Sequence, residues 1–195
     1  GRAPDYHCLP VGNAGNISAY WTGFSEYAGV KPATKACAWC EDLCRFECPP
    51  VCHTRPVMVG YQAAGSAPFL RGAPVANPET VATAIRIGNP ARGEQAIQAA
   101  EESNGRIIAA TDEQILSMQK LLAKLEGIWV EPASAAGLAG LAIDIQSGKL
   151  NPKGKRIVAI CTGHGMKDPD IITKDMQKPQ IVPPRLDALE EIILR

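Results

Sequence analysis

The sequence has no excess of either charge, its 20 lysines and arginines being matched by 20 aspartates and glutamates. No basic run breaks that balance, so the electrostatic footprint of a nucleic-acid or anionic-membrane binder is missing and a small-molecule partner is expected. Long hydrophobic runs are also absent. The most apolar stretches, residues 132–145 and 157–161, are too short or too rich in alanine and glycine to span a bilayer, and the N-terminus lacks the layout of a signal peptide. A cytoplasmic protein is expected, one in which the seven cysteines form no disulfides. At 195 residues the chain can bury one substantial core. It opens on Gly1 rather than methionine and enters an apolar strand within a few residues, which reads as the continuation of something longer.

What is present begins with LPVGNAGNISAYW, residues 9–21. Tyr6, Cys8, Leu9 and Val11 form an apolar strand pattern, and Ile17, Ala19, Tyr20 and Phe24 recur at helical spacing. Gly12, Asn13, Ala14, Gly15 and Asn16 are therefore a strand-to-helix turn. Such a turn gathers backbone N–H groups at a helix N-terminus, where glycine permits close approach, and so makes a cradle for phosphate or carboxylate. The same residues suit any tight turn, with Asn16 as a plain N-cap. The loop is neither a Walker sequence nor the dinucleotide fingerprint, which disfavours a nucleotide as owner of the phosphate.

Further along, residues 57–62 read as a second strand, and Asn77-Pro78 as the start of a helix through Val81, Ala84, Ile85 and Ile87 that stops at Gly88-Asn89-Pro90. Residues 94–103 read as a helix and 106–110 as a short strand. Thr111 with Gln114 three residues on is a capping-box start for a helix through Glu126, whose buried face would be Ile115, Leu116, Leu122 and Leu125. Residues 128–130 read as a short strand, Pro132 as the first position of a small-residue helix over 133–146, and 156–161 as the last core strand. Short strands alternating with helices predict an α/β fold, a mostly parallel sheet with helices on both faces. Ligands of such sheets sit beyond the carboxyl ends of the strands. Three loops fall there, at residues 12–16, 131–134 and 162–165. After a proline-rich connector, an amphipathic segment from Arg185 reads as a C-terminal tail helix, giving a division into 1–180 and 181–195.

In order along the chain, LPVGNAGNISAYW, MVGYQAAGSAPFLRG, NPETVATAIRIGNP, EPASAAGLAGL and CTGHGMKDPD together resemble the threonine synthase family. These are pyridoxal-phosphate enzymes of the tryptophan-synthase-β-like fold, fold type II, and the chain is similar to the C-terminal part of their large domain. The resemblance implies pyridoxal 5′-phosphate as cofactor, its phosphate held by the backbone of Gly12, Asn13, Ala14, Gly15 and Asn16. It implies that the Thr162 hydroxyl meets the pyridine nitrogen, that the turn holding Gly88 passes along the ring, that Glu131 lies close by, and that Asn13 also faces the substrate phosphate. Alongside, Thr162 and Gly163 also fit an ordinary strand end, and Glu131 a cap for its helix. His164 is assigned no role. The implied reaction is that of a carbon–oxygen lyase acting on phosphates, converting O-phospho-L-homoserine and water into L-threonine and phosphate by γ-elimination and β-addition of water. Homodimers are the family's tendency.

The family's Schiff-base lysine belongs to a Ser-Phe-Lys-Asp-like context upstream of the phosphate loop, and no lysine here, Lys120, Lys124, Lys149, Lys153, Lys155 and Lys167 included, has one. The expectation is a threonine synthase fragment inactive by itself. Its rivals are a non-catalytic remnant, a threonine or serine dehydratase-like enzyme, whose phosphate loop would carry more glycines, and a cysteine-built metal module. The last rests on Cys37, Cys40, Cys44, Cys48 and Cys52 with His53, inside an atypical stretch over residues 30–55. Their spacing approaches that of a zinc or iron–sulfur site but misses the ferredoxin pattern. A frameshifted or decayed coding stretch accounts for it more simply, and no metal ligands are assigned.

Overall fold

The computed structural model describes residues 1–30, 50–173 and 181–194. Four strands, β1 (Tyr6–Pro10), β2 (Val57–Ala63), β3 (Arg106–Ala110) and β4 (Ile157–Ala159), form one sheet in the order β3-β2-β1-β4. Every pairing is parallel, with Tyr6 opposite both Val57 and Ile157, and Val59 opposite Arg106. The carboxyl ends of all four strands therefore share one edge, as the alternating sequence pattern predicts.

Helices cover both faces. On one side α1 (Gly15–Tyr27) and α3 (Gly93–Glu102) pack Ile17, Trp21, Ala96 and Ala99 against Leu9, Val11 and Met58. On the other lies α5 (Pro132–Gln146), with α4 (Asp112–Glu126) packed against it through Ile115, Ala133, Ala136 and Ala139. α5 rides close to the sheet because its inner face has almost no side chains. A Cβ on Gly140 would lie 2.0 Å from the Tyr61 ring, and one on Gly137 would lie 3.3 Å from Pro10. α4 begins with the full capping box, Thr111 accepting from the Gln114 amide and the Gln114 side chain accepting from the Thr111 amide. Beneath α5 the buried Asp144 ties three elements together, accepting from the Tyr61 hydroxyl at 2.8 Å and from Arg106 at 2.7 Å. The remaining helices are α2 (Pro68–Arg71), α6 (Asp170–Thr173) and α7 (Leu186–Ile193), the last starting at Arg185 and burying no residue. Among the described residues no helix is long and apolar enough to cross a membrane.

Several expectations give way. The helix expected from Asn77-Pro78 through Ile87 is an irregular segment with one 3-10 turn, Thr83–Ile85. Asp112 captures the groups that a helix would need, taking the Thr80 hydroxyl at 2.5 Å and the Val81 amide at 3.0 Å. The segment is pinned further by Glu79 N–H on the Gly65 carbonyl and Val75 N–H on the Gly88 carbonyl. Residues 128–130 make a single antiparallel bridge, Val130 with His164, instead of a strand. β4 is shorter than expected and is an edge strand with Val158 36% exposed, not a core strand. Leu125 is exposed and Leu116 half-buried. The inner face of α4 is Ile115, Met118, Gln119 and Leu122, the Gln119 amide donating to the Val130 carbonyl at 2.7 Å.

His7 on β1 is buried against Tyr20 and Phe24, with ring centroids 4.4 and 5.2 Å away, and among the described residues neither of its nitrogens has a hydrogen-bond partner. Burial pushes its pKa down from 6.5 to about 4. The unfolded chain then binds a proton that the folded chain refuses, so this contribution is complete above about pH 6.5 and is lost as the pH falls towards 4. Urea unfolding at a series of pH values should show a fall of up to about 3 kcal/mol across that window. His7→Phe should flatten it, and an unchanged profile in the variant would remove His7 as the cause.

Candidate functional site

Where the strands end, a cleft of about 290 Å³ opens between four segments. Its walls are the loop Gly12, Asn13, Ala14, Gly15 and Asn16, the 3-10 turn at Ala84 and Ile85, Glu131 and Ala133 at the start of α5, and Thr162 with Lys167 after β4. Two are loops at strand carboxyl ends, after β1 and β4, which is where parallel sheets bind ligands, and the third is the N-terminus of α5. The fourth is the irregular segment that Asp112 holds out of a helix.

The loop's geometry follows from its residues. Ala14, not Asn16, is the N-cap of α1, and it sits in the left-handed region at φ 64°. That conformation costs a non-glycine residue about 1 kcal/mol or more. It is held in place by Ser18, whose amide and hydroxyl both donate to the Ala14 carbonyl, at 3.3 and 2.7 Å. No side chain caps α1, and its first turn carries no acid. Among the described residues the amides of Gly12, Asn13, Ala14, Gly15, Asn16 and Ile17 donate to no protein acceptor. Several donors at a helix N-terminus, with nothing of the protein satisfying them, suit a phosphate dianion. Gly12 lets the loop approach the 3-10 turn closely, since a Cβ there would lie 3.0 Å from Ile85 Cα and 3.2 Å from the Ala84 carbonyl. Asn13 uses its side-chain oxygen to hold the Ala91 amide at 2.9 Å, and its carbonyl accepts from Arg92 at 3.3 Å.

Across the cleft, Glu131 is 3% exposed and is the N-cap of α5, yet its carboxylate accepts no bond from that helix. It packs on Gly163, where a Cβ would lie 2.0 Å from its Oε1, and Lys167 Nζ approaches its Oε2 at 3.7 Å. Gly165 makes a similar close approach to the Trp129 indole. Thr162 stands beside this pair. Its amide and that of Gly163 both donate to Ser134 Oγ, at 2.8 and 2.7 Å, and the two hydroxyl oxygens are 2.8 Å apart. Ser134 is the residue that local sequence reasoning missed. The available signal was one hydroxyl amid the alanines of a small-residue helix, since a fully buried hydroxyl requires partners.

Seven of the eight expected cofactor residues line the cleft: Gly12, Asn13, Ala14, Gly15, Asn16, Glu131 and Thr162. Gly88 does not. It lies against the Val75 carbonyl, and Ala84 and Ile85 occupy the position at the cleft instead. His164 is exposed, and its Nδ1 accepts from the Met166 amide at 3.2 Å, capping the 3-10 turn Gly165–Lys167. A larger surface groove of about 750 Å³ runs past Phe69, Pro74, Pro90 and Ile97, but it holds no cation. Among the described residues no cluster of three or more His, Cys, Asp or Glu could hold a metal. Cys37, Cys40, Cys44 and Cys48 lie outside the described residues; Cys52 accepts from the Ala3 amide and donates to the Thr54 carbonyl.

A family model described as "Pyridoxal-phosphate dependent enzyme" matches residues 1–163. Among curated relatives, the threonine synthase of Mycobacterium bovis is 47% identical over 183 residues, which is 94% of this chain and 45% of that protein. The threonine synthase of Methanocaldococcus jannaschii is 40% identical over 200 residues, covering 98% of this chain and 44% of that one. The chain thus spans rather less than half the length of these relatives. Among solved structures, the processed form of threonine deaminase isoform 2 from Solanum lycopersicum superposes with a TM-score of 0.59 at 20% identity, over 88% of this chain and 41% of that one. That likeness concerns the fold.

Gly163→Ala forces the Glu131 carboxylate out of its place. It should cost about 1–3 kcal/mol in urea unfolding. Gly15→Ala, where an added Cβ meets nothing within 4 Å, should stay within about 0.5 kcal/mol. Equal costs would contradict the packing described.

Proposed function

From the premise that this chain belongs to the pyridoxal-phosphate dependent enzyme family, we propose that it is the cofactor-phosphate and ring-nitrogen half of a threonine synthase. The observation that carries the reading is one cleft bordered both by an uncapped helix N-terminus with free amides and by Thr162. The 47% identity to a threonine synthase over 94% of the chain supports the substrate class.

The residues present fit the cofactor. The free amides after β1 match a phosphate dianion, and the single hydroxyl of Thr162 matches a neutral ring nitrogen. Pyridoxal phosphate bound there supplies an electron sink for chemistry at the carbons of an amino acid. The chain's own contributions are specific. The amides of Gly12, Asn13, Ala14, Gly15 and Asn16 would hold the phosphate. Thr162 would offer the ring nitrogen a hydroxyl without a carboxylate's charge, which would not enforce a protonated ring and so would tune the electron sink. Glu131 brings a buried carboxyl group to the cleft, with the exposed Lys167 Nζ 3.7 Å from its Oε2. The net reaction is O-phospho-L-homoserine and water to L-threonine and phosphate. No lysine in these 195 residues has the Ser-Phe-Lys-Asp-like context, so the cofactor-bearing lysine has to be supplied by sequence outside them. We assign residues 1–180 to the cofactor-binding unit and 181–195 to a tail, and place the enzyme in the cytoplasm as a homodimer.

A hybrid tests this reading. The upstream portion of the Mycobacterium bovis threonine synthase, joined ahead of Gly1, should release phosphate from O-phosphohomoserine and form threonine in equal amount. A hybrid that binds pyridoxal phosphate but yields neither product would overturn the assignment. Ammonia and a 2-oxo acid formed from threonine would overturn it in favour of a dehydratase.

A further inference from the structure

The hydrogens around Ser134 can be counted. Its Oγ has two lone pairs and one hydrogen. The amides of Thr162 and Gly163, at 2.8 and 2.7 Å, fill both lone pairs. Thr162 Oγ1 stands 2.8 Å away and the Gly163 carbonyl 3.2 Å away. Two hydroxyl oxygens at 2.8 Å need a hydrogen between them. Thr162 cannot supply it, because Ser134 has no lone pair left to accept it. The hydrogen is therefore that of Ser134, and Thr162 accepts. The Gly163 carbonyl already accepts from the Glu131 amide at 3.0 Å and is the weaker rival. Thr162 Oγ1 keeps its own hydrogen and has no other partner among the described side chains, and Thr162 lines the cleft.

We infer that Ser134 is a positioning residue: saturated by two backbone amides, it donates to Thr162 and thereby holds the Thr162 hydroxyl as a hydrogen-bond donor into the cleft, towards the pyridine nitrogen of the cofactor. The inference rests on the functional reading above and adds a direction to it. Only a donor can engage a neutral ring nitrogen through that nitrogen's lone pair. Were Ser134 free to accept, Thr162 could give its hydrogen to Ser134 and present only a lone pair. The two amides that saturate Ser134 belong to the same loop as Thr162, so one buried hydroxyl sets both the backbone of that loop and the polarity of its side chain.

The test is binding by the full chain, with pyridoxal 5′-phosphate and inorganic phosphate as separate probes. Ser134→Ala should weaken pyridoxal phosphate about tenfold and leave inorganic phosphate within about twofold, since the phosphate loop is untouched. Thr162→Val should weaken it similarly. The double variant should bind no worse than Thr162→Val alone, because Ser134 acts through Thr162. With ring-¹⁵N-labelled cofactor, the nitrogen resonance should shift in Ser134→Ala. Additive losses, equal loss of phosphate binding or an unmoved ¹⁵N resonance would overturn the inference while leaving the cofactor reading intact. Failure of the unmutated chain to bind pyridoxal phosphate would instead overturn the cofactor reading, and this inference with it. Should Ser134→Ala not fold, hydrogen exchange in the unmutated chain decides. The Thr162 and Gly163 amides should be protected although they lie outside any strand or helix, and rapid exchange of either would leave Ser134 unsaturated and the argument void.

Discussion

Everything at the cleft depends on how closely α5 lies on the sheet. Gly137 against Pro10 and Gly140 against Tyr61 remove the side chains that would hold a helix off the strands. The usual separation of a helix from a sheet is set by such side chains, and here the Tyr61 ring fills the space that a Cβ would need. The N-terminus of α5 consequently reaches the strand edge with Glu131 and Ser134 fully inside the structure. Asp144 holds the other end of the same helix by its bonds to Tyr61 and Arg106. A helix fixed at both ends against a rigid parallel sheet is a stable platform for short polar contacts.

The second consequence is that loops far apart in sequence become one surface. The residues after β1 bring unsatisfied amides, the start of α5 brings the Glu131 carboxyl group, and the segment after β4 brings Thr162, backed by the buried Ser134. Glycines mark the points of closest approach: Gly12 under Ile85, Gly163 under Glu131 and Gly165 under Trp129. At the first two a side chain would crowd a group that borders the cleft, and at the third it would displace the Trp129 indole. The site is built from the absence of side chains as much as from their presence.

This explains what could be read from the sequence. The strand-to-helix turn at residues 12–16 was legible because glycine and asparagine announce turns locally. The capping box at Thr111 was legible for the same reason, since both partners lie within four residues. The segment from Asn77 misled because its apolar spacing is helical, while the residue that unwinds it, Asp112, lies some 30 positions away. Leu125 misled because periodicity continues past the point where α4 leaves its neighbour. Ser134 stayed hidden because its partners are 28 and 29 residues distant. The resemblance implied a place beside the ring for the turn at Gly88, whereas Ala84 and Ile85 line the cleft and Gly88 packs on the Val75 carbonyl, a contact between residues 13 positions apart.

The measurement that bears most directly on the account is a titration of the ¹⁵N-labelled chain with pyridoxal 5′-phosphate, followed by the shifts of its backbone amides. One cleft predicts that Gly12, Asn13, Ala14, Gly15 and Asn16 move together with Thr162 and Gly163, with a single affinity. Shifts confined to the groove beside Phe69, Pro90 and Ile97, or at the loop without Thr162, would contradict it.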